Sequence, residues 1–194
     1  MKRNFFVSTL IAVLLAFGAA PLQAAEEYVI DTKDAHAFIQ FRIQHLGFSW
    51  LSGRFNRFDG SFTYDEKNPA ANRVVVNIDP ASIDSNHAER DKHLRGSDFL
   101  YVSRYPSARF ESTAWESKGD GKAVLHGKLT LRGVTRPVAI EVTEIGAGRD
   151  PWGGYRRGFE GRTNLTLADF NIAFDLGPAA REVELMLSVE GIRK

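Results

Sequence analysis

The sequence contains no cysteine, and this absence excludes several kinds of chemistry at once. Thiol catalysis, cysteine-ligated zinc and iron–sulfur clusters all require cysteine side chains. Disulfide bonds are excluded as well, so the fold depends on its hydrophobic core alone. Two short catalytic signatures are also missing, because the chain has neither a GxSxG nucleophile elbow nor an HExxH zinc motif. A paired-carboxylate glycosidase stays open, but most acidic residues fall on polar strand faces or in turns. We therefore expect no catalytic residue, no bound metal and no resident cofactor.

The chain also lacks an excess of charge of one sign. Its 25 basic side chains face 24 acidic ones, and the two kinds are interspersed along the sequence. Proteins that bind nucleic acid usually carry a basic patch or stripe. The charge pattern therefore indicates that nucleic acid is not a partner.

Long apolar runs are missing except at the start of the chain. Residues 1–24 combine Lys2 and Arg3 with an apolar run over residues 5–17 and small residues that end at Ala24. This is the layout of a secretory signal peptide. The run is shorter than the roughly 20 residues of a membrane span, although an uncleaved anchor is the alternative. We expect cleavage after Ala24, no integral membrane span and release into the periplasm; because no cysteine follows the run, a lipoprotein anchor is excluded.

The remaining residues, 25–194, are expected to form a single domain built from β-strands. About eight segments alternate apolar and polar residues with a period of two, and Gly, Pro, Asn and Asp separate them. For example, Ile39, Phe41 and Ile43 share one face of a segment, and Ala108, Phe110 and Ala114 share a face of another. Eight strands would leave exposed edges as a flat sheet, so a closed barrel or a sandwich is expected.

The apolar strand faces are unusually rich in aromatic residues. The chain has 14 Phe, and most of those after residue 24 fall on these faces or beside them. In a barrel of eight strands, such rings either fill the interior or line a space for one small apolar ligand. The period-two pattern is compatible with both, so the sequence leaves a filled and a hollow barrel open.

The stretch from His87 to Pro106 interrupts the strand pattern with a cluster of charges. Its two histidines are not spaced as metal ligands, although Glu89 and His93 lie four positions apart. Such a pair more often supports a surface helix than a metal. Asn86 is the expected N-cap, with Glu89 completing a capping box, and Gly96 is the expected end. The sequence therefore predicts one short helix near residues 86–96, with an Asp91–Arg95 pair on its exposed side.

A glycine-rich segment over residues 146–155 carries Trp152 and is predicted to form a long hairpin loop. It lacks the GxGxxG order of a phosphate-binding loop. Trp152 would either gate a ligand at a barrel mouth or pack over the barrel end. A second turn is expected at Arg132-Gly133.

Several longer motifs resemble the YceI-like family, a group of exported bacterial proteins. The resemblance covers the whole chain after residue 24 and rests on these strings: FRIQHLGFS (41–49), FDG (58–60), NHAERDKHLR (86–95), SDFL (97–100), YP (105–106), LTLRGVTRPV (129–138), DPWGG (150–154) and DFNI (169–172).

This resemblance implies a fold and a function. It implies an all-β, eight-stranded antiparallel, lipocalin-like barrel that forms homodimers, and for which no catalytic activity is established. It also implies an apolar tunnel that holds a polyisoprenoid, such as a quinone or a prenyl lipid. The chain lacks the Gly-x-Trp signature of true lipocalins, so their strand order is not transferred. Alternatives are a carrier of another amphiphile, such as a fatty acid or fatty amide, and a structural stress protein with a filled barrel.

Eleven residues are predicted to contact the ligand, because they fall on inward strand faces or belong to the predicted helix and its exit. His45 has the inward parity of its strand and is the polar group expected near a ligand head group; a core histidine bonded to backbone is its alternative. Arg42, Arg54 and Arg95 are further polar candidates near a mouth. The predicted ligand-binding residues are Ile39, Phe41, Ile43, His45, Phe58, Phe62, Leu94, Phe99, Phe110, Leu129 and Phe159.

Overall fold

The computed structural model describes residues 25–194, and the expected signal peptide at residues 1–24 lies outside them. These residues form eleven strands, one α-helix (α1, Ala88–Leu94) and four short 3₁₀ helices. The strands are β1 (Glu26–Ile30), β2 (Phe38–His45), β3 (Ser49–Phe55), β4 (Phe58–Tyr64), β5 (Arg73–Ile78), β6 (Ile83–Asp84), β7 (Ala108–Gly119), β8 (Lys122–Leu131), β9 (Val134–Arg149), β10 (Tyr155–Thr166) and β11 (Glu182–Arg193). The 3₁₀ helices are Pro69–Ala71, Pro80–Ser82, Leu167–Phe170 and Pro178–Ala180.

Eight of the strands close into an antiparallel barrel. The order around the ring is β1, β4, β5, β7, β8, β9, β10 and β11, and β11 pairs with β1 to complete it. The predicted eight-stranded barrel with one short helix is confirmed. We call the end with Glu26, Tyr64 and Tyr155 the closed end, because the ring of hydrogen bonds is complete there.

At the other end the barrel is extended by three further strands. β2 pairs with β11 beside the position where β1 leaves it, β3 pairs with β2, and β6 pairs with β3. Within the described chain, β6 has no second neighbouring strand, and residues 85–107 pack over the resulting gap. Leu94, Phe99 and Leu100 of this segment belong to one core cluster with Ile83 and Phe41. We call this the open end.

The predicted inward faces agree with the structure except after a bulge in β7. Phe110 is buried as expected, but the pairing of β7 with β8 shifts between Ser112 and Ala114. The extra residue reverses the side-chain alternation, so Trp115 turns inward while Ala114 is exposed. The expectation that Ala114 faces the interior is therefore wrong. Ser112, which precedes the shift, is buried as the alternation from Phe110 requires, and its Oγ accepts a hydrogen bond from the Val74 N–H at 2.8 Å.

The helix begins one residue later than predicted. His87, not Asn86, is the N-cap, and its Nδ1 accepts the Arg90 N–H at 3.2 Å. Asn86 lies in the left-handed region with φ of 61°. Asp91 is buried rather than paired on the surface with Arg95, because its carboxylate accepts the Ser85 N–H at 2.8 Å. The tight turn at Arg132-Gly133 is confirmed by positive φ at both residues.

Three phenylalanine rings pack against glycines of other strands, so closely that a Cβ at each glycine would overlap the ring. Phe41 covers Gly53, Phe62 covers Gly191, and Phe110 covers Gly127. A Cβ at Gly127 would overlap the Phe110 ring and come within 2.7 Å of a backbone carbonyl oxygen, that of residue 111. The glycines therefore let large rings lie close to the wall rather than project across the interior.

We expect Gly127→Ala to lower the free energy of unfolding by about 1–3 kcal/mol, because the added methyl group has no free space. Gly146→Ala, in which the new Cβ meets nothing within 4 Å, is the matched control and should have a much smaller effect. Chemical denaturation of both variants measures the difference. Equal effects of the two substitutions would contradict this description of the wall.

An ion-pair network stabilises the segment where the chain leaves β1 and continues toward β2. Arg156 donates to Asp31 at 2.7 Å and to Asp150 at 2.8 Å, and it also bonds Glu190. His36 also belongs to this network, because its Nδ1 lies 2.9 Å from Asp31 Oδ2. Burial alone would raise the pKa of Asp31, but the hydrogen bonds from His36 and Arg156 lower it to about 2. The network ties β1, β10 and β11 together at the point where β1 ends.

Asp31→Asn is expected to lower the free energy of unfolding at neutral pH by about 2 kcal/mol, from the lowered pKa of the carboxylate. A carboxylate with a lowered pKa stabilises the fold above its unfolded pKa. That contribution is lost as the pH falls from the ordinary value of 3.8 to about 2. Denaturation curves of variant and wild type should thus converge over this range.

The control is Asp120→Asn, which removes the same charge from an exposed turn that tolerates asparagine at its φ of 51°. A constant difference between Asp31→Asn and wild type at every pH would contradict the assignment.

Candidate functional site

The barrel interior contains two neighbouring cavities. The large cavity, of about 620 Å³, lies toward the open end, and the small cavity, of about 130 Å³, lies toward the closed end. Four residues border both of them: Ile39, Ile78, Leu129 and Leu185. The barrel is therefore hollow, which contradicts the filled-barrel alternative.

The large cavity is bordered mainly by apolar side chains. Strands β2, β3, β8 and β11, helix α1 and the segment 165–180 contribute most of them. Five of its 28 bordering residues have polar or charged side chains. The volume lies within the range of about 300–1,000 Å³ that is typical of sites for small molecules. The apolar border is Ile39, Phe41, Ile43, Leu46, Leu51, Phe55, Ile78, Pro80, Ile83, Leu94, Phe99, Leu100, Ala108, Leu129, Leu131, Leu165, Leu167, Ile172, Leu176, Ala180, Val183 and Leu185.

The mouth of the large cavity is marked by bordering residues that are also exposed to solvent. These are His45, Leu46, His93 and Asp175. His93 is held in place from two sides, because its Nε2 lies 3.1 Å from Asp98 Oδ2 and its ring meets Phe99 edge-on at 4.9 Å. The polar groups therefore lie at one end of an otherwise apolar space.

The small cavity is covered at the closed end by aromatic rings and a charged group. The Arg157 guanidinium lies 4.1 Å from the Tyr64 ring centre and forms an ion pair with Glu144. Burial and the neighbouring Glu144 carboxylate raise the pKa of Tyr64 to about 12. Tyr28 stacks on Phe62 at 4.7 Å in the same layer. These contacts close the interior on the side opposite the mouth.

All eleven residues predicted to bind the ligand border one of the two cavities. Ile43, His45, Leu94, Phe41 and Phe99 border the large cavity only. The small cavity alone is bordered by Phe58, Phe62, Phe110 and Phe159, whereas Ile39 and Leu129 border both cavities. Their contact with a ligand stays a prediction.

His45 is exposed at the mouth, a position that does not fit the alternative of a core histidine. The three arginines proposed near a mouth do not border the cavities. Arg42 forms an ion pair with Glu184 at 2.5 Å on the outer face, Arg54 lies near Asp84, and Arg95 bonds a backbone carbonyl.

The sequence reasoning missed the contribution of the segment 165–180. Leu167, Ile172 and Leu176 border the large cavity from irregular backbone and short 3₁₀ helices. They show no period of two or of 3.6 residues, so periodicity gives no signal for them. The alternation of Val183 and Leu185 in β11, by contrast, was a usable signal.

One group of potential metal ligands occurs among residues 25–194. Asp31, His36 and Glu190 lie close together on the barrel wall. The Arg156 guanidinium bonds both carboxylates of this group and supplies the positive charge between them. The group is accounted for by the structural network described above. None of the helices in the described chain has the length and apolar character needed to cross a membrane.

An eight-stranded antiparallel barrel with an apolar cavity open at one end defines a lipocalin-like class of protein. The family model described as the YceI-like domain matches residues 28–191, and the chain belongs to this family. A UPF0312 protein of Pseudomonas aeruginosa is 61% identical over 184 residues, which cover 93% of this chain and 96% of that relative.

Two solved structures share the fold. BcnA of Burkholderia cenocepacia has a TM-score of 0.75 at 23% identity, covering 83% of this chain and 98% of that protein. A polyisoprenoid binding domain from Saccharophagus degradans, implicated in plant cell wall breakdown, has a TM-score of 0.62 at 13% identity. That match covers 86% of this chain and 98% of the domain.

Proposed function

We propose that this protein is an exported, periplasmic carrier that holds a polyisoprenoid chain, such as a prenyl lipid or the tail of a quinone, in its large cavity. The observation that carries the proposal is the apolar cavity of about 620 Å³ whose polar side chains are concentrated toward one mouth. A ligand with a long hydrocarbon tail and a small polar head matches this distribution. The protein acts by binding and has no catalytic role.

The physical reason is the cost of exposing a hydrocarbon chain to water. Burial of apolar surface contributes about 25 cal/mol per Å², and this gain is non-directional, so a flexible chain needs no specific partner along its length. Aliphatic side chains such as Leu131, Leu165 and Leu185 provide such a surface around the large cavity. The polar head would remain at the mouth, where His45 and His93 can donate or accept hydrogen bonds.

Similar proteins support a polyisoprenoid as the class of ligand. The Saccharophagus degradans domain, which shares the fold, is a polyisoprenoid binding domain. Membership of the YceI-like family supports a homodimeric, periplasmic binding protein as the working proposal. A fatty acid or fatty amide carrier is the second candidate, because the same cavity would accept a straight chain.

Organic extraction of protein purified from its native host, followed by mass spectrometry, tests the proposal. We expect a prenyl lipid in a fixed ratio to the protein. Detection of a fatty acid or fatty amide instead would contradict the proposed ligand and support the second candidate. Repeated extraction without any lipid, from protein that remains folded, would overturn the function.

Leu94→Asn is expected to reduce the amount of lipid that co-purifies, because it places an amide against the apolar border of the large cavity. Lys92→Asn is the matched control, since Lys92 is exposed on the same helix and the loss of helix propensity is the same. Lipid content per protein is measured after extraction of both variants. Equal loss in the two variants would assign the effect to the helix rather than to the cavity.

His87→Ala is not a suitable control for Leu94→Asn. His87 does not border either cavity, but it caps the helix that positions Leu94. Loss of an N-cap costs about 0.5–2 kcal/mol of helix stability.

A further inference from the structure

An exposed apolar tip lies beside the mouth of the large cavity. It is the turn between β2 and β3, residues 45–50, which we call the mouth hairpin tip. Leu46 is 60% exposed, Phe48 86% and Trp50 50%. The turn is tight, because the Phe48 N–H donates to the His45 carbonyl at 2.9 Å. Phe48 is therefore held outside the barrel by a short, hydrogen-bonded loop.

The mouth hairpin tip is continuous with the cavity. His45 and Leu46 belong to the tip and also border the large cavity at its mouth. Phe174, 44% exposed, lies on the other side of the mouth, where its ring meets His93 at 5.4 Å. Apolar groups thus flank the mouth on two sides.

The chemistry of the tip suits a lipid surface. Residues 46–50 carry no charged side chain. Trp50 lies at the base of the tip with the Arg42 guanidinium 4.4 Å from its ring centre. Tryptophan is enriched at the boundary between lipid and water, where its ring is apolar and its N–H meets polar groups.

The tip is too small for a stable protein interface. Each large aromatic side chain buries about 150–250 Å², so the tip and Phe174 together offer a few hundred Å². A stable protein partner or a second copy needs about 800 Å² on each side. Insertion into a membrane surface needs only a few apolar side chains, because these enter the boundary between head groups and acyl chains.

We propose that the mouth hairpin tip inserts Leu46, Phe48 and Trp50 into a lipid membrane surface and so brings the cavity mouth to the bilayer. The inference rests on the proposed function, because a prenyl chain has to pass between a membrane and the cavity. Contact at the tip shortens the path of that chain through water. The opposite end of the barrel offers no such path, since Arg157 and the aromatic layer cover it.

Flotation with phosphatidylcholine vesicles, with and without phosphatidylglycerol, tests the proposal on the full exported protein. The test variant is Phe48→Ser, and Phe48 does not border either cavity. The matched control is Trp152→Ser, which removes an aromatic side chain of similar exposure, 79%, from the hairpin at the closed end. Both positions are exposed, so thermal midpoints should stay close to that of the wild type.

Wild-type protein should float with both kinds of vesicle, because an uncharged tip gives little dependence on anionic lipid or salt. Phe48→Ser should lower the partition coefficient about ten- to a hundredfold, as expected from one buried aromatic side chain. Trp152→Ser should keep the wild-type value.

Three results would overturn the proposal: wild-type protein that carries lipid but does not float, equal loss in Trp152→Ser, or Phe48→Ser turning a dimer into a monomer in light scattering. The last result would assign the tip to a second copy. Extraction of the same preparations separates this from the proposed function, since lipid-free wild-type protein would refute the function itself.

Discussion

The structure depends on strand β11 having two different partners along one of its edges. Glu184 to Ser188 pair with β2, and Gly191 to Arg193 pair with β1, while β10 occupies the other edge throughout. β1 and β2 pair with this edge at different heights, so the chain leaves the sheet between them. The ion pair of Asp31 with Arg156 fixes the point where β1 ends. The barrel is consequently complete at one end and extended at the other, where residues 85–107 cover it. The cavity, its mouth and the hairpin tip all lie on the extended side.

The interior changes character along the barrel because of how aromatic and glycine residues are paired. At the closed end Tyr28 stacks on Phe62, Tyr64 meets Trp115 edge-on, and Arg157 lies over the Tyr64 ring. Toward the open end the Phe41 ring packs directly against Gly53, which has no side chain to hold the ring away from the wall. Aliphatic side chains then enclose the large cavity, and the polar groups come last, at the mouth. This order, from dense aromatic layer to aliphatic space to polar rim, is what gives the cavity a direction.

Much of this arrangement was predictable from the sequence, because most of the barrel is built from period-two strands. Seven of the eight barrel strands, together with β2 and the inward faces of β2 and β8, followed from that pattern, whereas β1 was not predicted. The helix and the turn at Arg132-Gly133 followed from capping and turn signals. Three kinds of feature did not. The β7 bulge places Trp115, not Ala114, inside, and the period-two pattern does not show where the extra residue falls. Asp91 is buried by a hydrogen bond from a residue six positions earlier, which helix periodicity does not indicate. Residues 167–180 border the cavity from irregular backbone and short 3₁₀ helices, which have no repeating pattern in the sequence.

The distribution of polar groups around the cavity supports the proposed carrier function. A reaction needs polar or charged groups that converge where the reacting atoms lie. In this barrel four ionisable residues border the large cavity: His45, His93 and Asp175 are exposed at its mouth, and Arg90 is half-buried with its guanidinium bonded to Ser85. Apolar side chains make up most of the remaining border, which suits a hydrocarbon chain. An exposed apolar hairpin beside that same mouth has a purpose for a carrier, which must exchange an insoluble ligand with its source.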